Sequence, residues 1–243
     1  MQVPLNKLDT ITSNSSDSPI EVMVLPPEPD FLESFNRSDE EKKKIYIKIK
    51  TPMTIDFKEP MNDLPKTQIY ITDTCDVTFR NLTFNGFFTL NKSSATFENC
   101  IFNCDLEGKF IIWAVSSKII VRNSKFHGSK TNGLAVSDST QVTIDNCHFF
   151  KTKSACILGI TQSAFTITNS KFTDITKYSI YGVNLAKTTI TNCLFESCCY
   201  SCIYLKESEE SIITGCTFKE NQRHALSLNH SKLSEVSNCN AYK

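Results

Sequence analysis

From residue 77 to the end of the chain, apolar positions recur in a short alternating phrase rather than in a helical stripe. The phrase is apolar–x–Asn–small–x–Phe, and it appears eight times in variant form. It runs Val77-Thr-Phe-Arg-Asn81-Leu-Thr-Phe84, Phe97-Glu-Asn99-Cys-Ile-Phe102, Val121-Arg-Asn123-Ser-Lys-Phe126 and Ile144-Asp-Asn146-Cys-His-Phe149. Ile167-Thr-Asn169-Ser-Lys-Phe172, Ile190-Thr-Asn192-Cys-Leu-Phe195, Ile213-Thr-Gly215-Cys-Thr-Phe218 and Val236-Ser-Asn238-Cys-Asn-Ala241 complete it. The Asn position, Gly in one copy, steps by 18, 24, 23, 23, 23, 23 and 23 residues.

Each phrase predicts local structure. Period-two alternation of β-branched or aromatic residues with Thr or charged residues marks a strand before the Asn. Asn enters left-handed backbone angles and suits a bend, and Gly215 enters them without steric cost. The small residue and the Phe then give a second short strand. A third follows about eleven residues past the Asn, at Leu134/Val136, Ile157, Ile180, Ile203/Leu205 and Leu226/Leu228. Three strands and three bends in about 23 residues make one coil of a parallel β-helix. Stacking coils at about 4.8 Å predicts Asn over Asn and Phe over Phe. The expected fold is thus all-β: a right-handed parallel β-helix solenoid of about eight coils with an Asn ladder. Leucine-rich and ankyrin repeats need helical stretches, which the Ser/Thr/Asn-rich spacers do not offer, and a sandwich would not hold a constant step.

Residues 45–57 alternate well and read as the first coil, so 45–243 is assigned to the solenoid. Residues 1–44 read as a flexible acidic arm with a short capping helix near residues 30–35. The chain stops inside a coil with no visible cap, which raises end-to-end self-association through the C-terminal coil.

Composition adds charge to this picture. The 243 residues are 40% hydrophobic, enough for a core, and carry no net charge, which argues against nucleic-acid binding. Residues 1–41 hold nine acids against Lys7 and Arg37, whereas residues 118–190 hold nine Lys/Arg against three Asp. An acidic arm and a basic middle therefore share a neutral chain. No apolar segment of signal-peptide or transmembrane length is visible, which favours a cytoplasmic location.

The repeat resembles the pectate-lyase-like superfamily of right-handed β-helices, in particular the right-handed β-helix domain proteins of some protists, over roughly residues 45–243. A weaker likeness is to the polymorphic outer-membrane proteins of chlamydiae, whose Phe-x-x-Asn motif is matched by Phe218-Lys-Glu-Asn221, while their Gly-Gly-Ala-Ile is absent. The first resemblance implies action on, or binding of, acidic polysaccharides.

Carboxylate catalysis needs acids at matching positions of adjacent coils. Glu98 and Asp145 share a position but lie two coils apart, and Asp174 is flanked by Lys151 and Ser197. Glu207, Glu209 and Glu210 fall within one bend. No catalytic residue is assigned. Cys193, Cys216 and Cys239 occupy one position of successive coils, as do Cys100 and Cys147, and Cys199-x-x-Cys202 has metal-site spacing. Parallel Cβ vectors suit a disulfide poorly, and no His lies at a matching position, so buried thiols without metal are expected, and no cofactor. Thr143, Thr166 and Thr189, with Thr168, Thr191 and Thr214, form outward threonine columns, as on β-helical ice-binding proteins, though Thr is also simply a good strand residue.

The remaining pattern is basic. Lys125, His148 and Lys171 share one outward position of consecutive coils, and Lys151 and Lys153 lie beside them, with His127 and Lys130 near. Such a stripe suits an anionic polysaccharide or the chain's own acidic arm, and a plain solvated face is the simpler reading. The functional expectation is a non-catalytic scaffold binding a glycan or protein partner along its side. The alternative is a carbohydrate-active enzyme, a polysaccharide lyase or glycoside hydrolase, on the same fold.

Overall fold

The structure is a computed structural model that describes residues 12–13, 45–49, 52–56, 67–72, 75–103, 110–128, 130, 132–232 and 235–242. The expected capping helix and nearly all of the N-terminal arm lie outside these residues. Among them the chain forms three parallel sheets, each taking one strand per coil. Sheet A, of ten strands, begins with the pair Thr12–Ser13, antiparallel to Ile55 and Asp56, and then runs from Met53–Asp56 to Glu235–Ser237. Sheet B has nine strands, Ile45–Ile49 to Leu226–Asn229, and sheet C eight, Thr83–Phe84 to Asn240–Tyr242. The eight repeats thus span seven coil-to-coil steps, as the spacing predicts.

The corners explain the punctuation. All seven Asn of the repeat and Gly215 have φ between 50° and 64°. A second left-handed residue stands at the corner from sheet C to sheet B (Gly128, Lys151, Asp174, Ser197, Glu220), and a third between sheets B and A. Corner amides bond the next coil, as Asn99 N–H does to Arg122 O at 3.1 Å, so the bends stack as regularly as the strands. The short 18-residue step is absorbed between sheets C and B, where Asn85 alone separates Thr83–Phe84 from Gly86–Asn91.

Inward positions build one continuous core. Phe102, Phe126, Phe149, Phe172, Phe195 and Phe218 stack along sheet C with centroids 4.5–5.1 Å apart. The small residue after the corner Asn or Gly is buried from Cys100 to Cys216 and ties the bend. Ser124 and Ser170 donate to the carbonyls of Arg122 and Thr168, both at 2.7 Å, and accept the amides of Cys100 and Cys147. Thiols take the same place, Cys147 Sγ lying 3.3 Å from Asp145 O. Thr188 and Ser211, adjacent inward positions of sheet A, are the exceptions: both hydroxyls are buried without a hydrogen-bond partner.

Candidate functional site

Alternation places every second residue of a sheet C strand outside, and the parallel register sets Lys125, His148 and Lys171 side by side on consecutive strands. The three sequence-selected residues therefore form one column. Both lysines are exposed, and neither has a carboxylate within ion-pair distance among the described residues. His148 is half-buried, its Nε2 lying 2.9 Å from Thr173 Oγ1. Burial holds its pKa below the ordinary 6.5, the two lysines push the same way, and Asp174 opposes them. Lys151 and Lys153 stand exposed on the adjoining corner, Lys151 with φ of 56°.

Phe150 was not singled out by the sequence pattern, yet it joins this face. Its ring lies 4.5 Å from His127 and 4.7 Å from His148. The signal was the doublet Phe149-Phe150, whose second ring must point outward when the first enters the core. A second cluster also escaped the sequence reading: Tyr178, Tyr181, Tyr200 and Tyr204, with the Arg223 guanidinium 4.5 Å over Tyr200. Its signal was the 23-residue recurrence of Tyr181 in Tyr204 and of Lys177 in Tyr200 and Arg223. An open polar groove of about 730 Å³ follows the corners between sheets B and A, lined by Lys92, Ser94, Lys118, Ser139 and Gln162 among others.

The two carboxylates that share a position, Glu98 and Asp145, are engaged in the walls. Glu98 pairs with Arg80 at 2.9 Å and Arg122 at 3.6 Å, in the coils on either side of it. Asp145 accepts from Thr168 at 2.6 Å and Asn169 at 2.8 Å, and these bonds hold its carboxyl below the usual range. Among the described residues, no group of three or more His, Cys, Asp or Glu could hold a metal ion. The ten described cysteines are free, and eight are buried. Burial pushes the Cys100 and Cys147 thiols up to about 12, so they remain protonated donors. The threonine columns align as expected, Thr143 beside Thr166 beside Thr189.

Comparison with known proteins agrees with this architecture. The family model described as "Right handed beta helix region" matches residues 62–186 and 109–243. No curated protein matches the chain significantly. Solved structures with a similar course include QnrB1, a plasmid-mediated fluoroquinolone resistance protein, at 11% identity. It aligns over 77% of this chain and 91% of its own, with a TM-score of 0.26. PfbA, a surface adhesin of Streptococcus pneumoniae, aligns at 12% identity over 82% of this chain and 84% of its own, TM-score 0.31. The periplasmic alginate epimerase AlgG aligns at 8% identity over 82% and 77%, TM-score 0.29. At such values these likenesses carry no argument about activity. The family match covers most of the solenoid, and the chain belongs to the right-handed β-helix family.

Proposed function

We propose that the chain is a non-catalytic β-helix scaffold that binds a glycan or protein partner along its side. The observation that supports this reading is the Lys125–His148–Lys171 column: two exposed cations, without counter-ions among the described residues, flank a half-buried imidazole. Lys151 and Lys153 extend the positive edge around the corner. An anionic polymer laid along the solenoid would meet one cationic column across successive coils, where a low-charge partner would gain little.

The test is co-sedimentation with neutral and acidic polysaccharides, following ultraviolet absorbance and reducing ends in the same tubes. Binding to acidic polymers should weaken in Lys125→Ala/Lys171→Ala and in salt well above physiological strength, since exposed charges are screened within about 8 Å at 0.15 M. Turnover of any polymer, lost in that double variant, would replace this reading with the carbohydrate-active enzyme. Silence on every polymer would leave the protein partner.

A further inference from the structure

The outer face of sheet B carries a second, separate constellation. Its central outward column runs Trp113, Ala135, Leu158, Tyr181, Tyr204, Ser227 in consecutive coils. Tyr181 and Tyr204 stack with centroids 5.1 Å apart and planes 7° from parallel. The next rung of that stack is Ser227, whose short side chain leaves the far face of the Tyr204 ring without an aromatic neighbour among the described residues. Tyr178 closes one side, tilted 57° against Tyr181 and 54° against Tyr204.

Charge lies beside the vacant rung. Arg223 and His224 belong to the coil of Ser227 and are exposed, as is Lys177 two coils away. Neither Arg223 nor Lys177 forms an ion pair among the described residues, and the Arg223 guanidinium lies 4.5 Å over the Tyr200 ring. The corner is therefore aromatic and cationic together.

We infer that a sugar ring of an acidic polysaccharide occupies the missing rung, stacked on Tyr204 over Ser227, with its carboxylate toward Arg223. A pyranose offers an apolar C–H face to an aromatic ring, while its hydroxyl rim stays wet, and tyrosine matches both properties. A flat ring face beside phenols and cations that hold no carboxylate among the described residues fits that chemistry better than it fits an aliphatic side chain. This surface is independent of the sheet C column, and either can fail alone.

The experiment is affinity electrophoresis of the full chain through gels containing polygalacturonate or its methyl-esterified, neutral counterpart. Wild type should be retarded by polygalacturonate. Tyr204→Ala should weaken the interaction about tenfold, the scale of one lost ring contact, and Tyr204→Phe should keep it. Arg223→Ala should narrow the preference for the acidic polymer over the ester. Ser227→Tyr extends the stack without removing a core group and, placed in the Lys125→Ala/Lys171→Ala background, should block the retardation that remains, so the proposal stays testable even if Tyr204→Ala folds poorly. Wild-type mobility unchanged in polygalacturonate overturns the inference, as does Ser227→Tyr leaving the retardation of that background unchanged. Loss of binding in Lys125→Ala/Lys171→Ala with Tyr204→Ala unaffected assigns the polymer to sheet C and sinks this site alone.

Discussion

Asn146 shows what one backbone angle asks of a residue. Its φ of 51° is reached by an L-residue with a Cβ at about 1–2 kcal/mol, which Asn offsets with its short polar side chain. Asn146 Nδ2 donates to Asn123 Oδ1 at 2.8 Å, but Asn169 turns instead to Asp145, so the side-chain bonds are irregular while the angle is constant. The angle is the requirement, and Gly215 meets it where a Cβ would come within 2.4 Å of Asn192 Oδ1. Asn146→Ala should accordingly lower stability by about 1–2 kcal/mol in denaturant titration, and Asn146→Gly by less. Thr188 is the opposite case. Its buried hydroxyl has no partner, and Thr188→Val should raise stability by about 1 kcal/mol, read as a higher denaturation midpoint at unchanged slope. The Asn role could be read from the sequence because backbone preference is local. The stranded hydroxyls could not, because alternation turns Thr188 inward without saying whether its hydroxyl meets a partner there. His148 adds a pH signature. Its folded pKa lies below 6.5, so above that value neither state is protonated and it contributes nothing. As pH falls through 6.5 the unfolded chain takes the proton first, and stability declines until the folded imidazole also charges. His148→Gln should flatten that part of the stability profile.

At the scale of the element, sheet C is a row of two- and three-residue strands too short to stand alone, held by the rings between them. Phe149 is fully buried between Phe126 and Phe172, with stacked neighbours at 4.5 and 5.1 Å. Phe149→Ala should cost about 3–5 kcal/mol, and Phe149→Leu clearly less, in the same titration. Strand positions, inward residues and the basic column were all legible, because period two fixes which side chain faces out once the Asn is located. The partners of that column were not. Phe150, and on sheet B the four tyrosines, meet residues of other coils through register rather than through spacing within a strand. Cysteines were legible as core. Serine and cysteine alternate after the Asn because a hydroxyl and a thiol reach the same carbonyl, so native-state alkylation should mark half-buried Cys199 and Cys239 ahead of the eight buried thiols.

Over the whole molecule, each coil contacts chiefly its two neighbours, Gln162 reaching Glu209 two coils on being an exception, and stability is close to a sum of repeats and interfaces. Removing residues 147–169, one full step from Asn146 to Asn169, rejoins equivalent positions. The shortened chain should remain folded, with an unchanged β-type circular dichroism spectrum per residue and a lower unfolding midpoint. Removing one residue fewer displaces the phase of every strand beyond the join and should abolish cooperative unfolding, since a one-residue slip exchanges inward and outward faces. That strict phase also separates two kinds of information. Inward residues and corners carry the instructions for winding, while each outward column is a line of text that can be rewritten one letter per coil without disturbing them. A solenoid of this kind is a printing surface, and its existing inscriptions, basic on one wall and aromatic on another, could be exchanged or moved along the axis by whole coils.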